Sequence, residues 1–362
     1  MGVLGIKQAL QVYKDKTVLI TGNTGFKGTW LSYILEMLGA KVIGYALPLD
    51  VKNRFFNELN LRERINQNEG NVCDSQKLNN LIKSVKPDFV FHLAAQALVK
   101  ESYKDPAQTM STNIMGTVNI LDAAKLSDDV KVLLCVTSDK CYENNEWIWG
   151  YRENDRLGGH DPYSASKAAA EIIFNAYSKS FFYKKNNFGF ATVRAGNVIG
   201  GGDWSLDRII PDCIKAIQNK NILSIRNPNA VRPWQHVLEP LSGYLLLGAN
   251  LYKEKSRFNG AWNFGPDNGE QKNVGEITKF IMDYFNKKEL IKIETSNTLH
   301  EAQLLQLNCD KANQILKWYP RWKIDKTLTK TVEWYESSIN KIDIELITKN
   351  QILDYFKEMK GV

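Results

Sequence analysis

Residues 17–28 read TVLITGNTGFKG, and this stretch decides the predicted fold. Its first five residues form a short, mostly apolar run typical of a buried strand, and Gly22, Gly25 and Gly28 follow. Glycines at this spacing permit a tight turn, a close approach of the backbone to a pyrophosphate and close helix–strand packing. A helix predicted after the turn would direct free N–H groups and its positive dipole end at that anion. The stretch therefore predicts a dinucleotide-binding turn formed by Gly22, Thr24, Gly25, Phe26, Lys27 and Gly28.

Outside this turn, strand and helix patterns alternate along the first half of the chain. Predicted strands cover 17–21, 41–45, 89–93, 130–137 and 189–194. Predicted helices run from the turn to about residue 39, over 75–85 and 109–126, and onward from Pro162, where Asp161 is expected to cap the N-terminus. This alternation predicts an α/β fold with a Rossmann-like, doubly wound parallel sheet. Ligands of such a sheet bind at the carboxyl ends of its strands.

The pattern changes from about residue 196, where Gly, Pro, Trp and Arg become frequent and the segments become irregular. We therefore expect a dinucleotide-binding domain over 1–197, completed by about 233–265. A smaller C-terminal substrate-binding lobe is expected from 198–232 and 266–362. A last amphipathic helix is predicted from Asp325, and we interpret it as structural.

Composition excludes several classes of protein. The 362 residues carry a formal net charge of +7 from scattered Lys and Arg, so no nucleic-acid partner is expected. The five cysteines form no CxxC pair and the four histidines lack metal-ligand spacing, so no metal is expected. No apolar run approaches the roughly 20 residues that span a bilayer, and no signal-peptide pattern is present. These features predict a cytoplasmic protein that does not associate with membranes.

A second motif, Tyr163-Ser164-Ala165-Ser166-Lys167, contains catalytic residue types. The spacing of four places Tyr163 and Lys167 on one face of the predicted helix. A nearby ammonium favours tyrosinate, so Lys167 is expected to lower the pKa of a phenol that is ordinarily about 10. Such a tyrosine can accept an alcohol proton while hydride leaves the carbon. Together with the dinucleotide turn, the pair predicts a nicotinamide-dependent enzyme.

A third motif, Thr137-Ser138-Asp139-Lys140, stands at the end of the strand predicted over 130–137. A hydroxyl at this position can hydrogen-bond the reacting oxygen of a substrate. The same residues can also form a Ser/Asp turn that only caps the strand end. The other two motifs favour the catalytic interpretation.

The three motifs together resemble the extended short-chain dehydrogenase/reductase superfamily, as do HLAAQ at 92–96 and NIMGT at 113–117. Longer segments make the chain similar to the CDP-glucose 4,6-dehydratase family, and the match extends over most of the chain. These segments are GFKGTWL (25–31), TSDKCYEN (137–144), GGHDPYSASK (158–167), AGNVIGGGDW (195–204) and RNPNAVRPWQHVLEPL (226–241). The resemblance implies a lyase that converts CDP-glucose to CDP-4-keto-6-deoxyglucose and water, in bacterial polysaccharide biosynthesis.

The resemblance also implies catalytic roles. Tyr163 would accept the proton of the sugar 4-hydroxyl while hydride passes from C4 to NAD. Water would then leave from C5 and C6, and the same hydride would return to C6. Ser138 falls at the superfamily's catalytic Ser/Thr position, and Asp139 at that of the acid for the leaving hydroxyl. Lys140 replaces the glutamate of dTDP-glucose dehydratases, and a lysine base needs a pKa lowered from about 10.4. The residue that removes the C5 proton is therefore left open.

The resemblance implies NAD as the cofactor, with Leu93, Ala94 and Ala95 beside it and Asn71-Val72 at its adenine. NAD-preferring relatives often carry an acidic residue at the end of the second strand, where this chain has Tyr45-Ala46-Leu47-Pro48. NAD binding is therefore expected to be weaker than usual.

For the nucleotide sugar, the predicted ligands are polar residues after the strands and in the lobe. They are Gln96, Asn197, Arg208, Arg232 and His236. The guanidinium of arginine presents a planar fork of donors that suits phosphate. For His236, packing inside the lobe is an equally good explanation.

Two other functions remain compatible with the sequence. One is another nucleotide-sugar enzyme of the same superfamily, either a 4-epimerase or a dehydratase for a different nucleotide. An epimerase does not need to expel a C6 hydroxyl, so Asp139-Lys140 favours the dehydratase. The other is a non-enzymatic dinucleotide-binding interaction protein, against which the presence of Tyr163 and Lys167 argues. A homodimer is expected, because members of the superfamily commonly pair through helices that include the Tyr-x-x-x-Lys helix.

Overall fold

The computed structural model describes residues 6–50, 54–225, 227–267, 269, 271–293 and 304–358. Its strands are β1 (Thr17–Thr21), β2 (Lys41–Ala46), β3 (Asn66–Glu69), β4 (Phe89–His92), β5 (Val132–Val136), β6 (Gly189–Arg194), β7 (Val198–Ile199), β8 (Leu223–Ile225), β9 (Val231–Arg232), β10 (Gln235–His236), β11 (Gly260–Asn263), β12 (Lys272–Asn273) and β13 (Ile291–Ile293). Its helices are α1 (Ile6–Gln11), α2 (Phe26–Met37), α3 (Arg54–Glu58), α4 (Leu61–Arg64), α5 (Ser75–Val85), α6 (Val99–Lys104), α7 (Pro106–Met110), α8 (Gly116–Leu126), α9 (Pro162–Ser180), α10 (Ile209–Asn219), α11 (Leu238–Lys253), α12 (Lys255–Phe258), α13 (Val274–Tyr284), α14 (Ile324–Ile339) and α15 (Ile344–Glu358).

The central sheet has seven strands in the order β11-β6-β5-β4-β1-β2-β3, and each neighbouring pair is parallel. Strands β1, β4 and β6 are buried almost completely, because helices cover both faces of the sheet. The strand order reverses between β1 and β4. The carboxyl ends of these two strands therefore border the crevice in which a doubly wound fold binds its ligands. The predicted fold class is confirmed.

Several predicted elements match the observed ones, and others do not. β1, α5 and β6 have the predicted bounds. The helix predicted over 109–126 is in fact α7 and α8, joined by a π-helical turn at Ser111–Met115. The prediction of irregular structure after residue 196 was wrong for α11, a regular helix whose residues from Leu238 to Leu251 are all buried.

Helix α11 packs against α1 and against β5 and β6 of the sheet. β11 follows it and pairs with β6, so a segment beyond residue 197 extends the central sheet. The division into a domain over 1–197 with 233–265 and a lobe from the remainder stays a proposal. None of the described helices is both long and apolar enough to cross a membrane.

Candidate active site

A cavity of about 1460 Å³ lies at the carboxyl ends of the strands. Its wall is formed by the glycine turn after β1, by the ends of β4 and β5, by the start of α9 and by residues from 195 onward. Pockets for one small ligand usually enclose about 300–1,000 Å³. This cavity is large enough to hold two ligands side by side.

The glycine turn forms one end of the cavity wall. Gly22 has a φ of 72°, and a Cβ there would lie 2.7 Å from the backbone of Ala94. A Cβ on Gly28 would overlap the Gly22 carbonyl oxygen, so the helix can pack against the turn only with glycine at this position. α2 begins at Phe26 without a side-chain cap. The N–H groups of its first turn are therefore available to an anion in the cavity. All six residues predicted for this turn line the cavity.

The residues predicted beside the cofactor also line the cavity, namely Asn71, Val72, Leu93, Ala94 and Ala95. The loop after β3 is held by two hydrogen bonds. The Tyr45 hydroxyl donates to the Asn71 carbonyl at 3.0 Å, and Asn119 Nδ2 donates to the Val72 carbonyl at 2.8 Å. These two hydrogen bonds fix the backbone of Asn71 and Val72 at the cavity wall, next to the ends of β2 and β3.

Ser138, Asp139 and Lys140 follow β5, and all three line the cavity. Ser138 Oγ donates to Asp139 Oδ1 at 2.9 Å and accepts from the Lys140 N–H at 3.2 Å. The Asp139 side chain is 2% exposed, and its Oδ2 has no hydrogen-bond partner in the described part of the chain. A Cβ on Gly196 would overlap this carboxylate. The motif is thus both a Ser/Asp turn and a part of the cavity wall.

Tyr163 and Lys167 lie in the first two turns of α9, on the cavity side. The helix begins as predicted, since Asp161 Oδ1 accepts from the Ser164 N–H at 2.9 Å and Pro162 occupies the first position. Burial raises the pKa of Tyr163 to about 12, although the hydrogen bond with Ser138 lowers it. The prediction that Lys167 lowers the Tyr163 pKa below its ordinary value was therefore wrong, because desolvation of the phenol dominates.

The ammonium of Lys167 donates to the Val136 carbonyl at 3.4 Å. Burial lowers the pKa of Lys167 to about 8, and this shift is opposed by Cys135 and Glu171. The ammonium of Lys167 is therefore poorly solvated, and small changes in the charge of nearby groups alter its protonation.

Glu171 was missed by the sequence interpretation, although it stands four residues after Lys167 on the same helix. Arg194 donates to both of its carboxylate oxygens, and Thr192 Oγ1 donates at 2.8 Å. Burial alone would raise the pKa of Glu171, but the Arg194 guanidinium outweighs it and keeps the pKa below its ordinary value. The i, i+4 spacing was the available signal for this residue.

Asn197, Arg208 and Arg232 line the lobe side of the cavity. Arg208 Nη1 lies 2.7 Å from Asp203 Oδ2, and Asp203 was not predicted as a site residue. Arg232 Nη1 donates to the Val231 carbonyl at 2.9 Å. Two guanidinium groups therefore line the cavity together with the glycine turn.

Gln96 and His236 are not among the residues that line the cavity, and their prediction as substrate ligands stays a proposal. Gln96 Nε2 donates to the Leu98 carbonyl at 3.0 Å and to Thr109 Oγ1 at 2.8 Å, so its amide organises the loop after β4. His236 is fully buried, and its ring packs against those of Trp30 and Trp322. Its Nδ1 accepts from the Leu238 N–H at 3.3 Å, whereas its Nε2 has no hydrogen-bond partner among the described residues.

Asn113, in the π-helical turn, connects two parts of the site. Its Nδ2 donates to Ser166 Oγ at 2.8 Å and to the Gln96 carbonyl at 3.0 Å, and its Oδ1 accepts from the Gln96 N–H at 2.8 Å. The Asn113 side chain is 2% exposed. It therefore fixes the loop after β4 to the helix that carries Tyr163 and Lys167.

Comparison with known proteins shows the family of the chain. Residues 19–331 match the family model described as GDP-mannose 4,6 dehydratase. The chain is 45% identical over 347 residues to the CDP-glucose 4,6-dehydratase of Salmonella typhimurium, with 95% of this chain and 97% of that protein covered.

Solved structures share the fold at lower identity. The epimerase Mth375 of Methanothermobacter thermautotrophicus is 23% identical with a TM-score of 0.79, covering 96% of this chain and 99% of that one. The dTDP-glucose 4,6-dehydratase DesIV of Streptomyces venezuelae, with NAD and TYD bound, is 21% identical with a TM-score of 0.76. That likeness covers 90% of this chain and 98% of DesIV. At these identities the likeness concerns the fold, which epimerases and dehydratases share.

Proposed function

Because the chain belongs to the GDP-mannose 4,6 dehydratase family, we propose that it is the lyase that converts CDP-glucose to CDP-4-keto-6-deoxyglucose and water. The observation that carries this proposal is the position of Asp139 and Lys140 on the same cavity wall as Tyr163 and Lys167. This arrangement provides groups for C4 oxidation and for removal of water in one site. The choice of CDP-glucose is supported by the 45% identical relative, which is matched over nearly its whole length.

The residues of the cavity fit NAD. The glycine turn and the first turn of α2 would hold the pyrophosphate, Asn71 and Val72 the adenine, and Leu93 to Ala95 the part nearest the substrate. The chemistry that NAD supplies when bound is reversible hydride exchange with the sugar. The protein itself has to bind and orient the sugar nucleotide and to transfer protons.

Tyr163 takes the proton of the sugar 4-hydroxyl, and Ser138 hydrogen-bonds the same oxygen. With a pKa near 12 the phenol of Tyr163 is protonated at neutral pH, so it accepts this proton only after it has ionised, and positive charge close by favours that ionisation. Lys167, one helical turn along α9, supplies such a charge below a pH of about 8. Glu171 in turn favours the charged form of Lys167.

Asp139 and Lys140 perform the elimination. Asp139 keeps one oxygen without a partner among the described residues, and this oxygen is the one we assign to protonating the C6 hydroxyl. Lys140 lines the cavity next to it and is the candidate base for the C5 proton. The 4-ketone formed in the first step makes that proton acidic.

The alternative functions are less well supported. A 4-epimerase shares the fold but needs no acid for a C6 hydroxyl, so Asp139 and Lys140 favour a dehydratase. A dehydratase for another nucleotide agrees with the site and is disfavoured by the identity to the CDP-glucose enzyme. A non-enzymatic binding protein has no need of Tyr163 and Lys167 on the cavity wall.

We also propose a homodimer in the cytoplasm. All five cysteines are free thiols, which favours a reducing compartment. The surfaces of α8 and α9 carry exposed apolar side chains, with Leu126 65% and Ile172 56% exposed. Burial of these side chains against the same helices of a second copy would remove them from water.

The proposal is tested by incubating the purified protein with CDP-glucose and NAD, followed by mass spectrometry of the sugar nucleotide. The expected result is a product lighter by one water, without net NADH. Parallel reactions contain UDP-glucose or dTDP-glucose, or lack NAD. Turnover of only one of those other sugar nucleotides would contradict the CDP assignment, and an epimerised product of unchanged mass would contradict the dehydratase.

A further inference from the structure

Lys27 is part of the glycine turn, yet the charged residues that affect its pKa belong to other parts of the cavity wall. It is the second residue of α2, and its side chain lies on the cavity wall. Within the described residues its ammonium forms no hydrogen bond and no ion pair within 4.0 Å. A partly buried ammonium without a direct partner is unfavourable unless a ligand supplies one.

The charges that act on Lys27 come from the lobe and from the catalytic wall. The pKa of Lys27 is lowered to about 8, mainly by burial and also by Arg208 and Lys167, while Asp139 and Asp203 oppose the shift. Asp203 is already paired with Arg208, and Asp139 accepts a hydrogen bond from Ser138. The wall therefore has an excess of positive charge around Lys27.

We infer that Lys27 and Arg208 together bind the diphosphate of the sugar nucleotide, so that a residue of the dinucleotide turn is also a substrate-binding residue. The identity of that substrate rests on the proposed function. A diphosphate diester carries two negative charges and would neutralise these two cations of the cavity wall. The ammonium acts as a point charge, whereas Arg208 presents a planar fork that Asp203 holds in place.

The cofactor is a less suitable anion for this side chain. The pyrophosphate of a dinucleotide is bound by backbone N–H groups at the start of α2, which need no lysine. Lys27 and Arg208 line the same cavity, and among charged groups Arg208 lowers the pKa of Lys27 most. An anion bound between Lys27 and Arg208 would lie in the part of the cavity that we assign to the substrate.

Isothermal titration calorimetry of CDP and of NAD separates the two possibilities. Lys27→Gln is expected to weaken CDP binding by about 10- to 100-fold, which is the usual effect of losing one charge-assisted contact. NAD affinity is expected to change little, and Lys27→Arg to recover most of the CDP affinity. Lys179→Gln, at an exposed position on α9, serves as the matched control.

A second measurement uses the unaltered protein. Because a bound diphosphate raises the pKa of Lys27, CDP binding at pH 8.5 should take up a proton. The binding enthalpy should then depend on the ionisation enthalpy of the buffer, and this dependence should be smaller in Lys27→Arg. This measurement decides the question even where Lys27→Gln does not fold.

Unchanged CDP affinity in Lys27→Gln, or a loss confined to NAD affinity, would overturn the inference. The absence of a difference in proton uptake between the wild type and Lys27→Arg would overturn it as well. The titrations do not depend on turnover and are repeated with UDP. A protein that binds only UDP, in a Lys27-dependent manner, would refute the CDP-glucose assignment and still support the role of Lys27.

Discussion

Arg194 and Glu171 form a bidentate ion pair one helical turn beyond Lys167. Arg194 Nε lies 2.9 Å from Glu171 Oε1, and Arg194 Nη2 lies 2.7 Å from Glu171 Oε2. Both side chains are only 3% exposed. The pair joins β6 to α9, and its carboxylate favours the charged form of Lys167.

Replacing one member of this pair should destabilise the protein strongly. Glu171→Gln leaves the Arg194 guanidinium buried without its counter-charge, which typically costs about 3–5 kcal/mol in the free energy of unfolding. Urea denaturation measures this change. Glu101→Gln removes a carboxylate from the exposed pair with Lys104 and should cost less than about 1 kcal/mol. Equal effects of the two substitutions would refute the structural role of Glu171.

The activity should decline as the pH rises through about 8. Lys167 has a pKa lowered to about 8, so it is cationic below that pH and loses its charge above it. Tyr163 needs this charge, so log kcat/KM should fall on the alkaline side. In Lys167→Arg the guanidinium stays charged, and the fall should move to higher pH even where the absolute rate is low. Lys27→Arg, which changes the other lysine with a pKa of about 8, is the comparison. An alkaline limb that Lys167→Arg leaves in place would contradict this assignment.

Tyr163→Phe should abolish most turnover while it leaves NAD binding intact. The substitution removes only the hydroxyl that takes the 4-hydroxyl proton, and general base catalysis contributes about 10²- to 10⁴-fold to a rate. Turnover of CDP-glucose and the affinity for NAD are measured side by side. Tyr177→Phe, on the same helix, should keep the wild-type rate. A Tyr163→Phe variant with more than half of that rate would exclude Tyr163 as the base.

Asp139 and Lys140 should be separable by isotope exchange. Turnover in deuterium oxide places solvent deuterium at C5 through the residue that removes the C5 proton. If Lys140 is that base, Lys140→Met should stop this incorporation, whereas Asp139→Asn should mainly slow loss of the C6 hydroxyl. Mass spectrometry and proton NMR of the product report both events. Normal elimination rates in both variants would remove the two residues from the mechanism.

Ile172→Glu should dissociate the proposed dimer. The substitution places a charge on the exposed apolar face of α9, where a second copy would have to desolvate it. Light scattering after size-exclusion chromatography should give twice the 41.3 kDa chain mass for the wild type and the chain mass for the variant. Leu353→Glu, at a half-exposed position on α15, should leave the mass unchanged. A monomeric wild type would refute the dimer.

Features with a local signal were predicted well from the sequence. The glycine turn depends on the positive φ of Gly22 and on the absence of a side chain at Gly28, and the cap at Asp161 depends on its own first helical turn. The spacing of Tyr163 and Lys167 likewise lies within one helix. In these cases the residues that determine the structure are close together in the sequence.

Features set by distant contacts were not predicted. β3 consists of polar residues and is a strand only because it pairs with β2, Ile43 opposite Asn66. The side-chain amide of Gln96 donates hydrogen bonds to Leu98 and Thr109, and no sequence pattern reveals this side-chain orientation. The raised pKa of Tyr163 likewise follows from burial of the phenol in the folded chain, which the local sequence does not encode.

The π-helical turn at Ser111–Met115 has a consequence for how this segment can change in length. A π turn holds one more residue than the α-helical turn it replaces. Deleting a single residue there would allow regular α-helical hydrogen bonding, while the helical segments on either side keep their directions, because the wider turn already absorbs the extra residue. The directions of side chains within the turn, including that of Asn113, would change. A one-residue deletion within the regular part of α8 would instead rotate the following residues by about 100° about the helix axis.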